Sequence, residues 1–267
     1  MKISILGCGW LGLPLAKSLI SKGHILKGST TSRDKKQVLS AEGISPYIIQ
    51  LFEEGIQGDI SAFLGDAEVL IIDIPPGLRK DPEVNFVGKI GRLTSQIERA
   101  GVKKVIFISA TSVYKDTEAS PTYTEEDLAN GTAENSKQLK GAEEILKNSD
   151  AFEAAIIRFG GLIGPGRHPV NYLAGKTDLK DSSGPVNLIH LEDCIGIIEA
   201  VLEKDAFGYS YNAAYPEHPT RKEYYTKMAS EKGLAIMSFD ENSVSKGKMI
   251  ASVNLEKILN YEFRNSI

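Results

Sequence analysis

The chain has 267 residues, of which 42% are apolar and 25% charged, with a formal net charge of −4 and two cysteines. That length suits one large α/β domain or a domain with a small appendage. The charge argues against a nucleic-acid or anionic-membrane surface, Cys8 and Cys194 suggest neither a disulfide framework nor a metal site, and no apolar run is long enough to span a membrane. The N-terminal apolar run is broken by glycines and belongs to the fold rather than to a signal peptide, so a cytoplasmic setting is expected.

The first predicted strand is Lys2–Leu6. It runs into Gly7-Cys8-Gly9-Trp10-Leu11-Gly12. Leu11, Leu15 and Leu19 then recur every four residues, which predicts a helix over Trp10–Lys22. This is the G-x-G-x-x-G setting of a dinucleotide-binding β-α-β unit. Gly7 permits the tight turn, Gly9 lets a pyrophosphate approach the backbone, and Gly12 lets helix and strand pack closely. The helix N-terminus, with Trp10 and Leu11, offers N–H groups and the positive end of a dipole.

A second strand, Ile25–Thr30, ends in Gly28-Ser29-Thr30-Thr31-Ser32-Arg33. An NAD site usually places a carboxylate there to accept from the ribose hydroxyls. Here hydroxyls and a cation stand instead. A carboxylate would repel a 2′-phosphate, whereas Thr30, Thr31, Ser32 and Arg33 can bind one, which favours NADP over NAD. Capping of the next helix by Thr31 and Ser32 is compatible with that role.

Further strands are predicted at Tyr47–Gln50, Val69–Ile74, Lys104–Ser109 and Glu153–Phe159, with helices at Arg33–Glu42, Val84–Ala100 and Asn135–Asn148. Gly101 ends the third of the four helices as a C-cap. The alternation implies right-handed crossovers and a Rossmann-type doubly wound parallel sheet. Ligands of such sheets lie beyond the carboxyl ends of the strands, so Ile74 and Pro75 join the cofactor candidates. Residues 1–165 are expected to form this domain. Residues 166–267, where glycines and polar loops loosen the pattern, should form a small substrate-side lobe interleaved with it.

Several landmarks in order resemble the extended short-chain dehydrogenase/reductases, and among them the NAD(P)-dependent epimerase/dehydratase group. They are the glycine turn, Gly58-Asp59-Ile60, Phe107 through Tyr114, Arg158 through Gly166, Asn187 through Asp193, and Tyr211-Asn212. The resemblance implies that Asp59 lies near the adenine. It also implies a Tyr-x-x-x-Lys pair on one helix face, the lysine lowering the tyrosine pKa and holding the nicotinamide ribose. Here Lys137 matches the lysine, but Ala133 stands in the tyrosine position. The upstream hydroxyl position falls on Ala110, with Ser109 and Thr111 beside it. Catalytic candidates are therefore Thr111, Lys137 and Ser109. Tyr114 or Tyr123 is an alternative phenol, each also readable as a packed aromatic. Tyr114, Arg167 and His168 are the substrate-side candidates, and His190 reads as a core histidine. No His/Cys/Asp cluster has metal-ligand spacing.

The resemblance implies an NADP-preferring oxidoreductase or epimerase/dehydratase-like enzyme acting on a small polar substrate, with nucleotide-linked substrates among the alternatives. Ala133 keeps open a second class, a non-catalytic NADP-binding redox sensor or regulatory module. A β-hydroxyacid dehydrogenase has a similar opening turn but would need an all-helical C-terminal domain, which the strand signals after Gly208 oppose. A monomer or a homodimer is expected, by analogy through the helices at Val84–Ala100 and Asn135–Asn148.

Overall fold

The computed structural model describes every residue except Lys80. It begins with β1 (Lys2–Leu6), α1 (Gly12–Ser21), β2 (Ile25–Thr30), α2 (Arg33–Ala41) and β3 (Ser45–Ile48). The first two strands fall at their predicted bounds. The first helix starts at Gly12 rather than Trp10, because Gly7 to Leu11 are used in the turn and the Gly9 N–H folds back onto the Gly7 carbonyl at 2.8 Å. The third strand lies two residues earlier than the periodicity predicts and includes Pro46. It is the terminal strand of its sheet, where a residue with no N–H is tolerated.

Next come β4 (Gln50–Leu51) and β5 (Ile56–Gln57), a small antiparallel pair, then α3 (Ile60–Leu64), β6 (Val69–Ile72), α4 (Phe86–Ala100) and β7 (Lys104–Ala110). Every residue of β6 is buried, as expected of a parallel strand covered on both faces. Asn85 caps α4 by accepting from the Gly88 N–H at 2.8 Å, and Gly101 ends it at φ 74°. After a 3-10 turn at Thr111–Val113 follow β8 (Thr122–Tyr123), α5 (Glu134–Lys147), β9 (Glu153–Phe159), β10 (Gly161–Ile163) and α6 (Val170–Leu173). The chain closes with β11 (Leu188–His190), α7 (Leu191–Glu203), β12 (Ser210–Ala213), α8 (Arg221–Glu231), β13 (Met249–Ile250) and α9 (Val253–Lys257).

Seven strands form one parallel sheet in the order β12-β9-β7-β6-β1-β2-β3. Sequence order runs outward from β1 through β2 and β3 on one side and through β6 and β7 on the other. The direction of winding therefore reverses between β1 and β6, which is the switch point of a doubly wound sheet. The chain divides into two compact units. One comprises Met1–Ala110, Ala133–Ile157 and Ile195–Ser210; the other comprises Thr111–Thr132, Arg158–Cys194 and Tyr211–Ile267.

In the first unit, Ile3, Ile5, Leu15, Leu19, Leu70, Ile106, Ile90 and Leu93 are buried apolar residues. Its helices are also tied by polar groups. The buried Glu199 of α7 accepts from Ser18 Oγ on α1 at 2.6 Å and pairs at 2.8 Å with Nζ of Lys22, the C-cap residue of α1. Glu199→Ala is expected to cost about 1–3 kcal/mol in chemical denaturation, because the Ser18 hydroxyl loses its acceptor at a part-buried site. A variant as stable as the parent would show that Lys22 and Ser18 find water instead.

The second unit has its own core, with Ile163, Val170, Val186, Leu188, Tyr224, Tyr225, Ala229 and Met237. Parallel two-stranded pairs, β10 with β11 and β8 with β13, organise its loops. Glu125 accepts from the backbone N–H groups of Asn212, Val253 and Asn254 at 2.9, 3.2 and 3.1 Å. Burial holds its carboxyl above the usual range, and those donors oppose the shift.

Candidate functional site

The glycine turn owes its shape to two close approaches. Gly7 adopts φ 109°, and a Cβ there would stand 2.2 Å from the Asp73 carbonyl oxygen. A Cβ on Gly12 would stand 2.3 Å from the Gly7 carbonyl oxygen. A side chain at Gly9 would meet nothing within 4 Å, so its backbone is open on that side. Ser29 of β2 secures the turn: its Oγ accepts from the Gly7 N–H at 2.9 Å and its carbonyl from the Cys8 N–H at 2.8 Å. Gly28 makes room for Cys8, since a Cβ there would lie 2.6 Å from the Cys8 sulfur. Burial, with the Asp73 charge adding to it, pushes the Cys8 thiol up to about 12, so at neutral pH it is a packing group rather than a nucleophile.

Beyond the turn lies a cleft of about 330 Å³ in the first unit. Gly7, Gly9, Ser29, Thr30 and Thr31 line one side, and Asp73, Ile74, Pro75, Pro76 and Phe86 line another. Ile49, Gln50 and Leu51 close the end beyond β3, and two lysines, Lys35 and Lys89, border the space. The volume falls at the lower end of the range for small-molecule sites, and the lining is mostly apolar with a few convergent polar groups.

The structure thus brings together Gly7, Gly9, Thr30, Thr31, Ile74 and Pro75 of the predicted cofactor residues. Trp10, Leu11 and Gly12 form the entry to α1. Three of the predicted cofactor residues lie off the lining of this cleft. Arg33 is exposed and does not line the cleft; Lys35, two positions on, does. Residues two apart on a helix point roughly 200° apart, so only one of the pair can face the space. Ser32 likewise lies off the lining, as N-cap residue of α2, its N–H bonded to Thr30 Oγ1 at 3.1 Å. Asp59 caps α3, accepting from the Ala62 N–H at 2.8 Å, and it too lies off the lining. Ser29, Lys35, Gln50 and Lys89 join the site without having been singled out for cofactor, and so does Asp73, which from its place at the end of a strand reads either as facing a cofactor or as capping the turn. The position of Ser29 and Asp73 at strand ends was the available signal.

The catalytic candidates are differently disposed. Ser109 is buried and donates to the Glu143 carboxylate at 2.7 Å. Thr111 is buried in the 3-10 turn that follows β7. Lys137 lies exposed near the start of α5 and pairs with Glu134 at 3.6 Å. Ala133 is the N-cap residue of that helix, in extended conformation.

Two of the substrate-side candidates, Tyr114 and His168, are buried and hydrogen-bonded. Tyr114 is 1% exposed. Its hydroxyl meets the Thr124 carbonyl at 2.9 Å, Asn212 Oδ1 at 3.1 Å and an Arg158 N–H at 2.6 Å. Its one proton is contested by two acceptors, and the ring is enclosed by protein. Burial raises its pKa, with Arg158 opposing. Tyr123 stacks on Tyr114 at 4.8 Å, donates to the Lys115 carbonyl and accepts from Asn130. His168 is buried, with both ring nitrogens engaged. Nδ1 accepts from the Val170 N–H at 3.1 Å, which puts the proton on Nε2, facing the Tyr224 hydroxyl at 3.0 Å. Arg167 stands exposed beside it.

Burial and the Lys232 charge hold the His168 pKa below the ordinary 6.5. The unfolded chain therefore takes up this proton first as pH falls. The stabilisation is complete above about 6.5 and is lost as pH drops through the lowered folded value. His168→Gln should flatten the acid limb of a stability-against-pH curve below about pH 6.5. An unchanged acid limb would assign it to other groups.

No described helix is long and apolar enough to cross a membrane. Among the described residues no group of three or more His, Cys, Asp or Glu could hold a metal ion.

No family model matches the chain. Solved structures of similar fold include a UDP-glucuronic acid 4-epimerase from Bacillus cereus in complex with NAD. Its TM-score is 0.82 at 19% identity, over 100% of this chain and 92% of that one. A UDP-glucose 4-epimerase from Thermotoga maritima gives 0.82 at 15% identity, covering 100% and 94%. The human epimerase family protein SDR39U1 with NADPH gives 0.75 at 15%, covering 99% and 95%. The chain therefore shares its fold with these two epimerases and with SDR39U1. In sequence the chain is 34% identical over 266 residues to Protein YeeZ of Escherichia coli K12, covering 98% of this chain and 96% of YeeZ. The chain belongs to the YeeZ family.

Proposed function

We propose that this protein binds a nicotinamide dinucleotide, NADP(H) in preference to NAD(H), and uses it as an epimerase-like oxidoreductase on a small polar substrate. The observation that carries the reading is the composition of the cleft at the carboxyl end of β2. Ser29, Thr30, Thr31 and Lys35 line it there, and no carboxylate does. Open backbone at Gly9 and the head of α1 fit a pyrophosphate. Ile49, Leu51 and the prolines fit a flat apolar base. A 2′-phosphate would be met by hydroxyls and the Lys35 ammonium. The similar structures differ in cofactor, NAD in the Bacillus cereus epimerase and NADPH in SDR39U1. Such a cofactor, once bound, supplies or accepts a hydride.

Thermal unfolding with NADP, NADPH, NAD and NADH in parallel tests the reading. A ligand at a hundred times its Kd stabilises by about 2.7 kcal/mol. The expected result is a raised midpoint with the two phosphorylated forms, and Lys35→Glu should weaken those by about tenfold or more while sparing NAD. No shift with any of the four would sink the reading.

A second reading, dinucleotide binding without turnover, is favoured by the phenols. Ala133 has no hydroxyl, and both alternative tyrosines are held inside the protein. Loss of carbonyl reduction in Thr111→Ala and Lys137→Ala would support the enzyme; an absence of turnover across carbonyl substrates, with binding intact, would support the sensor.

A further inference from the structure

Asp73 follows directly on β6, and its N–H continues the strand's register by donating to the Leu6 carbonyl at 2.8 Å. Its backbone touches Gly7, where a Cβ would collide with the Asp73 carbonyl at 2.2 Å. Its carboxylate reaches back over the head of α1: Oδ2 lies 3.1 Å from the Cβ position of Gly12. It lines the cleft, and among the described residues it is the one acid that does so. The charge is felt locally, since it adds to the rise of the buried Cys8 thiol.

An acid in that position needs a reason. A plain cap of α1 would be served as well by Asn or Ser. A carboxylate beside a pyrophosphate is repulsive, and α1's positive end offsets only part of that. The position across the sheet supplies a reason. A dinucleotide at the switch point places one nucleoside toward β2 and β3 and the other toward β6. The β2 end of the cleft has no acid, whereas the β6 end has Asp73. The lysine that the family resemblance sets against the nicotinamide ribose is present as Lys137, but its tyrosine partner is absent at position 133, and Asp73 would add a second group to that ribose.

We infer that Asp73 holds the ribose of the nicotinamide half, its carboxylate accepting hydrogen bonds from the cis-hydroxyl pair. This inference rests on the dinucleotide reading above. It makes Asp73 a cofactor-binding residue and assigns the β6 side of the cleft to a ribonucleoside with free hydroxyls. A carboxylate with four lone-pair sites can accept both hydroxyls at once, and bonds to a charged acceptor are about twice as strong as neutral ones.

Asp73→Asn keeps the shape and the capping capacity of the side chain, so the fold should survive, as circular dichroism and the unliganded melting midpoint would show. Calorimetric titration of parent and variant would use NADP, with adenosine 2′,5′-bisphosphate as the adenosine half alone. NAD and AMP serve as the matching pair should NAD bind more tightly. The expected result is about tenfold or greater weakening of the dinucleotide with the adenosine half unchanged. Equal dinucleotide affinity in parent and variant, or a parallel loss of both ligands, would overturn the assignment while leaving dinucleotide binding intact. Failure of the parent to bind either dinucleotide would remove the dinucleotide reading and this assignment together.

Discussion

Replacing Gly7 by alanine is expected to cost the protein about 2–6 kcal/mol and to remove dinucleotide binding. Two terms add. The backbone at φ 109° lies where a residue with a Cβ is strained, by roughly 1–3 kcal/mol. The new methyl would sit 2.2 Å from the Asp73 carbonyl oxygen, and relieving such an overlap moves backbone, typically for another 1–3 kcal/mol. The turn is fastened to Ser29 at two points, so a shift at Gly7 spreads to β2. Gly9→Ala is the informative contrast. A Cβ there meets nothing within 4 Å, so its melting midpoint should match the parent. Its methyl would instead occupy the approach to a phosphate, and the stabilisation by NADP should disappear. Denaturant unfolding of both variants, with and without nucleotide, separates the two effects. If Gly9→Ala binds like the parent, the open side of Gly9 is not the phosphate site.

Asp193→Ala is expected to cost about 2–4 kcal/mol and to release the C-terminal segment to proteases. Asp193 is fully buried. Its two oxygens accept from Tyr261 Oη at 2.9 Å, the Arg264 N–H at 2.8 Å, the Asn265 N–H at 3.1 Å and Asn265 Nδ2 at 3.1 Å. Removing the acceptor leaves several donors unpaired at once, each worth about 1–3 kcal/mol if it stays buried and less if water reaches it. Asp193→Asn retains one carbonyl acceptor and should lose less. Limited proteolysis followed by mass measurement reads the release directly. A cleavage pattern identical to the parent's would show that the segment is held by its aromatic contacts, Tyr261 with Phe263 and Phe263 with Tyr215. The partners of Asp193 lie 68 to 72 residues away in the chain, beyond the reach of local pattern.

The site shows the same boundary between what was legible and what was not. Local pattern sufficed for β1, β2 and β9, whose bounds match those the periodicity predicts, and for Gly101 as a left-handed cap. The glycine turn was legible because its geometry is a matter of neighbouring residues. The third strand was misplaced because Pro46 argues against a strand in isolation, and only its terminal position in the sheet makes it harmless. The hairpin of β4 and β5 and the short β8 and β10 carry no such local pattern. Strands of two or three residues carry too little periodicity to be read.

The sequence by itself determined the doubly wound sheet, the dinucleotide-type turn at Gly7 to Gly12, and a strand tip without an acid. Each is written in spacing or in residue type within a few positions. Tertiary structure alone decided that Lys35 rather than Arg33 borders the cleft and that Asp73 faces into it. It alone decided that Tyr114 and His168 are packed and hydrogen-bonded inside the protein. The physical reason is that a side chain's role depends on what stands opposite it. At these positions the opposing groups come from strands and loops distant in the chain, brought together by sheet order and helix rotation that local pattern does not encode.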